Sequence, residues 1–456
     1  MKGFTRRKLL ASSLLAGLFG AVRPTLAIQP TSLPWRNWSG GLTAQPAGRF
    51  APTTENELVE FLKSTGGPIR PVGSGHSFTP LVPTDGHLIV IDQLAGLMAH
   101  DAAAQQATFG AGSRLGDMGP ALAGIDQAMI NLPDIDRQTL AGACATATHG
   151  TGIGFQSLSG YLTGLRLITP TGDLLDLNAE DDSDLFNAAR VGLGALGVIT
   201  RMTLQNRTRY RLKARTWMQR TQEVLEGFGE SAASHRHFEM FPLTHSDYAI
   251  VLATDETDEP VNNPPPVPGE GDGLGEAMAS WMQVPPRDRL PLVNAMAEQV
   301  PPSEVVDVSY KILSNVRNNR FNEMEYSVPL EAGAECLREV LHTIIHKEVD
   351  VVFPLEYRYV RRDDTWLSMS AGDEDHAAIS IHRTAEADYR PYFDLIEPIF
   401  WKHGGRPHWG KIHSLEHAEL TKLYPRFEDF REIRKQIDPQ GRMLNDHLRD
   451  IFGERA

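Results

Sequence analysis

From about residue 52 the hydrophobic positions switch repeatedly between helical spacing and strand-like alternation. Residues 52–66, PTTENELVEFLKSTG, hold a Thr cap, a Glu three residues later and apolar residues at three- and four-residue intervals, which predicts a helix. PIRPVG (68–73) and HLIVIDQL (87–94) read as strands, and 107–124 as a strand followed by a helix. Residues 159–177 read as strand, turn, strand about a Pro-Thr-Gly-Asp turn. Beyond about Asn206 the character changes. HFEMFPLTHSDYAIVLATDE (237–256) predicts strands of a second domain, and AGAECLREVLHTIIHKEV (332–349) an amphipathic helix. Between them a Pro-, Gly- and acid-rich insertion near 255–275 reads as an exposed or mobile loop. No repeat unit is visible.

Two loops stand out against this pattern. PVGSGHS (71–77) follows a strand and sets Gly73, Ser74, Gly75 and Ser77 around a single histidine, His76. AGACATATHGTG (141–152) has the same character: Gly142, Thr146, Thr148, His149, Gly150, Thr151 and Gly152. Glycines let main-chain N–H groups approach a ligand closely, and a pyrophosphate needs several convergent donors. About seventy residues apart, the loops read as two walls of one dinucleotide site. The first alone reads equally as a glycine-rich turn carrying a surface histidine. Gly192 to Gly197 spells G-x-G-x-x-G, but a helical run precedes it and a strand follows it, and position 217 is Trp217 where an acid is required. The order is the reverse of a nicotinamide-binding fingerprint, so that reading is rejected.

Charge and composition narrow the class. Residues 1–27 place Arg6-Arg7 before a short apolar run ending near Ala27, which reads as a twin-arginine export signal; an uncleaved membrane anchor is the alternative. Its removal takes away five basic residues and no acid, so the net charge moves from −14 to −19. A chain this acidic is unsuited to nucleic acid or anionic membrane. The two cysteines, Cys144 and Cys336, are too few for a disulfide framework or structural zinc, and both are expected as free thiols. His235, His237 and His245, read as alternating positions on a strand, lack ligand-spaced acids or cysteines, so no metal site is expected.

The motifs GSGHS, THGTG and HWGK together resemble the sugar-1,4-lactone and alditol oxidases, which include D-arabinono- and L-gulono-1,4-lactone oxidases. These belong to the vanillyl-alcohol-oxidase-like flavoproteins with a PCMH-type FAD domain, and the resemblance covers nearly the whole chain after residue 40. It implies an α+β fold: a two-part FAD-binding domain over 28–207, an antiparallel-sheet substrate domain over 208–414, and a closing segment, 415–456, that returns to the FAD domain. It implies FAD, carried covalently on His76, with the turn at Gly197, Val198 and Ile199 lying along the flavin. Glu356 and Arg358 in FPLEYRYV stand two apart on a predicted strand and match the family's E-x-R pair; by themselves they read as a structural ion pair. His382 and Thr384 in ISIHRT match its H-x-T, with a core-edge histidine as the other reading. Lys411 in HWGK matches the lysine that faces the reduced flavin. Pro133-Asp134 departs from the family's small residues at that point, which makes Asp134 a candidate substrate contact. The implied reaction moves a hydride from a CH–OH group of a sugar lactone or polyol to flavin N5, with dioxygen as acceptor and hydrogen peroxide as product. The rivals are a dehydrogenase passing electrons to a quinone or cytochrome, and a periplasmic binding protein without turnover. An exported, periplasmic protein is expected, with membrane association only through an uncleaved N-terminus.

Overall fold

The computed structural model describes residues 33–181, 183–263, 273–315 and 319–455. The paired arginines and the apolar run after them lie outside these residues. Three strands, Gly48–Phe50, His87–Val90 and Ile69–Val72, form a small parallel sheet in that spatial order. The helix Glu55–Ser64 links the first to the third. It starts where the sequence predicts: the Thr54 hydroxyl accepts from the Glu57 N–H at 3.2 Å, and Thr53 N–H donates back to the Glu57 carboxylate at 2.8 Å. Leu58, Val59 and Leu62 form its buried stripe.

A second, five-stranded antiparallel sheet runs Leu174–Asn178, Leu162–Ile168, Val198–Gln205, Gln106–Gly110, Leu97–Asp101. The third sheet is also antiparallel and has eight strands: Ser303–Val308, Arg211–Arg220, Tyr248–Glu256, His237–Pro242, Glu356–Val360, His376–Thr384, Phe321–Pro329 and Arg406–Pro407. The change from one sheet to the next falls between Gln205 and Arg211. The helices Thr221–Ser234, Gly333–His346 and Arg390–Lys402 pack on the large sheet, and one apolar core runs continuously through all of these layers. Near the C-terminus the chain returns to the parallel sheet. Ile69 N–H bonds the Arg442 carbonyl at 2.7 Å, and the Asn445 side chain bonds the Pro80 and Pro83 carbonyls.

The insertion expected near 255–275 is bounded by a strand and a helix. Asp255 and Glu256 end a strand, and Gly273 begins the helix Gly273–Trp281. Asn262 and Asn263 bond the edge strand through Val306; residues 264–272 lie outside the described part. Of the three histidines only His237 is on a strand. His235 caps a helix and pairs with Asp255 at 2.6 Å, and His245 occupies a turn at φ +54° with Nε2 on the Val349 carbonyl. Period-2 reading failed here because a helix end and a tight turn flank the strand. Cys144 and Cys336 are free and buried, and burial pushes both thiols up to about 12. Among the described residues no helix is long and apolar enough to cross a membrane.

Candidate active site

The loop 73–77 leaves the end of a buried strand, and Gly75 holds φ +69°, a conformation side chains disfavour. Facing it is the turn 192–199, where Gly197 holds φ +148° and any Cβ would collide with the Ile168 carbonyl. Between them lies a cleft of about 990 Å³ including its open mouth, lined by Gly73, Ser74, Gly75, His76, Ser77, Gly142, Thr146, Gly197, Val198 and Ile199 among others. Arg70 knits the walls together. Its buried guanidinium donates to the carbonyls of Leu81, Leu193, Gly194 and Met443, and burial lowers its pKa to about 9.

His76 lines this cleft and stacks on Trp38, with ring centroids 5.1 Å apart. Burial, and then the charges of Lys411, Arg114 and Arg137, lower its pKa to about 4. The imidazole is therefore neutral near pH 7 and keeps a nucleophilic lone pair.

A second cavity, of about 1460 Å³ including its open mouth, opens on the large sheet. Strand register explains its contents. Glu356 and Glu325 each pair with Ser380 from opposite sides, and Glu323 pairs with His382, so three adjacent strands present one polar row. Arg358 lies 2.9 Å from Glu356 and 3.1 Å from Glu325. Glu325, only 1 % exposed, also accepts from His149 Nε2 at 2.8 Å and from the Ser380 hydroxyl at 2.7 Å. Against the cost of burial, His149 and Arg358 hold its carboxyl well below the usual range. Glu356 goes the other way: burial, reinforced by Asp134, Glu325 and Glu323, raises its pKa despite Arg358. Lys411 follows the edge strand Arg406–Pro407, and its ammonium meets the Glu323 carboxylate. His408 is pushed down to about 3 by burial, and its Nδ1 accepts from the Gly410 N–H at 3.0 Å.

The two cavities adjoin. Gln138 lines both, and its side-chain oxygen is buried without a hydrogen-bond partner, an acceptor available to an N–H of a bound group. Phe78 N–H bonds the Gly410 carbonyl at 2.7 Å, which fastens the His76 loop to the HWGK turn. A glycine-walled cleft opening beside a charged cavity fits a dinucleotide whose reactive ring must meet a polar substrate.

The sequence-derived residues divide as follows. Glu356, Arg358, His382, Lys411 and Asp134 all line the second cavity, where Asp134 accepts from the Asn315 side chain at 2.7 Å. Thr148 and His149, read as cofactor contacts, line this cavity instead of the cleft. Gly150, Thr151 and Gly152 line neither. The Thr151 hydroxyl donates to the Phe238 carbonyl, and Gly152 N–H to that of Tyr359, so the second half of THGTG joins the loop to the large sheet. Thr384, at the strand end opposite Phe321, also lines neither. Sequence reasoning missed Glu323, Glu325, His408 and Gln138. Two acids two apart inside the otherwise apolar or neutral strand Phe321–Pro329 were the available signal.

Comparison with known proteins covers both parts. A family model described as D-arabinono-1,4-lactone oxidase matches residues 202–451, and one described as an FAD binding domain matches 46–178. An L-gulono-1,4-lactone dehydrogenase of Mycobacterium tuberculosis is 36% identical over 92% of this chain and 99% of its own length. L-gulonolactone oxidase of Bos taurus is 29% identical over 92% of this chain and 98% of its own, and an alditol oxidase of a Streptomyces species is 25% identical over 91% and 98%. Among solved structures, cholesterol oxidase from B. sterolicum superposes with a TM-score of 0.77 at 15% identity, covering 92% of this chain and 96% of that one, a likeness of fold alone.

Proposed function

The chain belongs to the D-arabinono-1,4-lactone oxidase family of FAD-dependent oxidoreductases, and from that premise we propose that it oxidises a CH–OH group of a sugar-1,4-lactone or polyol. The observation that carries the reading is the junction at Gln138 of a glycine-walled cleft and a cavity holding Glu356, Arg358, His382 and Lys411. FAD, when bound, would supply the hydride acceptor for the carbinol carbon. Residues 73–77, Gly142, Thr146 and 197–199 hold that cofactor. Arg358 and Glu356 orient the substrate hydroxyl, His382 takes its proton, and Lys411 supplies the cation that stabilises negative charge on the reduced cofactor. Asp134 tunes which hydroxyl compound fits. An anaerobic screen of lactones, alditols and aldoses, scored by bleaching of the flavin band, tests the reading; no bleaching with any of them would leave a binding protein without turnover.

Dioxygen is the proposed acceptor, with hydrogen peroxide as product. A second reading, transfer to a quinone or cytochrome, is favoured by one observation: the relative at 36% identity is named a dehydrogenase. Stopped-flow reoxidation in air-saturated buffer separates the two.

We also propose that His76 carries FAD covalently, supported by its neutral imidazole at the cleft wall. Acid denaturation is expected to leave yellow colour with the polypeptide. His76→Ala should bind FAD when folded yet release it on denaturation, because the glycine walls remain. An intact mass without the FAD increment on the wild-type chain would refute the link.

Export by the twin-arginine route, delivering a flavin-loaded protein to the periplasm, rests on Arg6-Arg7 and the apolar run after them. Replacing both arginines with lysine should retain the protein in the cytoplasm, and undiminished export would exclude this route.

A further inference from the structure

We propose that Glu323 is a positioning residue for the reaction: its two carboxylate oxygens serve two different cations, fixing His382 as the proton acceptor and holding Lys411 beside it. The inference rests on the reading of this cavity given above and deepens it.

Glu323 and His382 are register partners on adjacent antiparallel strands, so their side chains share one face. The carboxylate is only 4% exposed. Its Oε1 lies 3.5 Å from His382 Nε2, and its Oε2 meets the Lys411 ammonium. A buried carboxylate must be compensated: Lys411 supplies the cation at Oε2, and Oε1 faces the His382 ring.

The other imidazole nitrogen decides the chemistry. His382 Nδ1 lies 3.2 Å from the Pro354 carbonyl, which can only accept, so Nδ1 carries the hydrogen and Nε2 is left to gain or lose a proton. A neutral ring points the Nε2 lone pair at a carboxylate. A protonated ring points an N–H⁺ at it. Arrival of the substrate's proton thus turns a repulsive contact into an attractive one, and Glu323 stabilises the imidazolium as it forms.

Glu323 is not itself the base. Burial works against its charge, yet Lys411 and His382 hold its carboxyl down to about 2, so it stays anionic throughout. Glu356 also stands near the ring: one carboxylate oxygen each of Glu356 and Glu323 and a His382 ring nitrogen lie within 4.8 Å of one another. Burial raises the Glu356 pKa, which makes it the poorer anion of the two. Phe321 and Phe353 flank the imidazole at centroid distances of 5.3 and 5.9 Å and fence it with apolar surface.

The step balances. The substrate O–H bond breaks and its proton passes to His382 Nε2, the C–H bond breaks with its electron pair going as hydride to bound FAD, and a C=O bond forms. His382 returns the proton to water once product leaves.

The test is a ¹⁵N NMR titration of the His382 ring in FAD-loaded, oxidised enzyme, with His382→Gln identifying the signal. Glu323→Gln is expected to lower the titration midpoint by at least about one pH unit, tenfold in the protonation equilibrium. It should extend the acid limb of the rate profile to lower pH while slowing maximal flavin reduction roughly 10- to 100-fold. Glu323→Asp keeps the charge and should keep the midpoint. Lys411→Gln removes the competing cation and should raise it. An unchanged midpoint in Glu323→Gln overturns the proposal whatever the activity; if that variant does not fold, an unchanged midpoint in Lys411→Gln does so. Because the titration needs no substrate, a failed lactone and polyol screen would sink the functional reading separately.

Discussion

Lys411→Ala is expected to slow anaerobic flavin reduction by roughly 10²-fold or more, the scale of losing one preorganised group aimed at developing charge. Lys411 follows a short edge strand, passes over the Phe78 ring with its ammonium 5.4 Å from the centroid, and ends on Glu323. Its removal has two consequences. The cation that favours negative charge on the reduced cofactor is lost, and the buried Glu323 carboxylate keeps only His382 as a partner. Fold and FAD content should survive, because Lys411 does not line the glycine-walled cleft. Stopped-flow reduction at saturating substrate, with flavin content read from the absorbance spectrum, checks this. A wild-type reduction rate in the variant would make the lysine a structural group only.

Arg358→Leu should have the larger effect, on stability and activity together. The arginine lies between Glu356 and Glu325, and all three are buried. Removing it leaves Glu356 without its cation and Glu325 with only His149 and the Ser380 hydroxyl among the described residues, and breaking a buried ion pair from one side costs about 3–5 kcal/mol. With two charge-assisted contacts to substrate proposed for Arg358, at about 1.5–3 kcal/mol each, the expected loss in kcat/KM is roughly 10³-fold. Thermal denaturation and steady-state kinetics read the two losses separately. Adding Glu325→Gln to the leucine variant should restore part of the stability, since one buried carboxylate that has lost its arginine disappears, and none of the activity. Restored activity in the double variant would show that Arg358 acts only by neutralising Glu325.

The THGTG loop shows how one composition serves two purposes. Small residues and threonines near a flavin-like motif suggest phosphate contacts, but the same composition suits any backbone that must pass close to another. Thr151 and Gly152 spend their polar groups on Phe238 and Tyr359 of the neighbouring sheet. Thr384 alternates correctly with His382, yet a strand runs out of a cavity after a residue or two, and its end lies opposite Phe321.

By itself the sequence determined whatever depends on neighbours along the chain. The Thr54-capped helix, the glycine loop at 73–77 and the strand pair Glu356 and Arg358 follow from local backbone preference and from the period of the apolar positions. The tertiary structure decided which distant residues meet. Glu325 acquires His149 across 176 positions, and Glu323 acquires Lys411 across 88. No local pattern encodes those pairings. Strand order and register in the large sheet bring three acids and an arginine to one cavity, and loops that reach it add Asp134, His149 and Lys411.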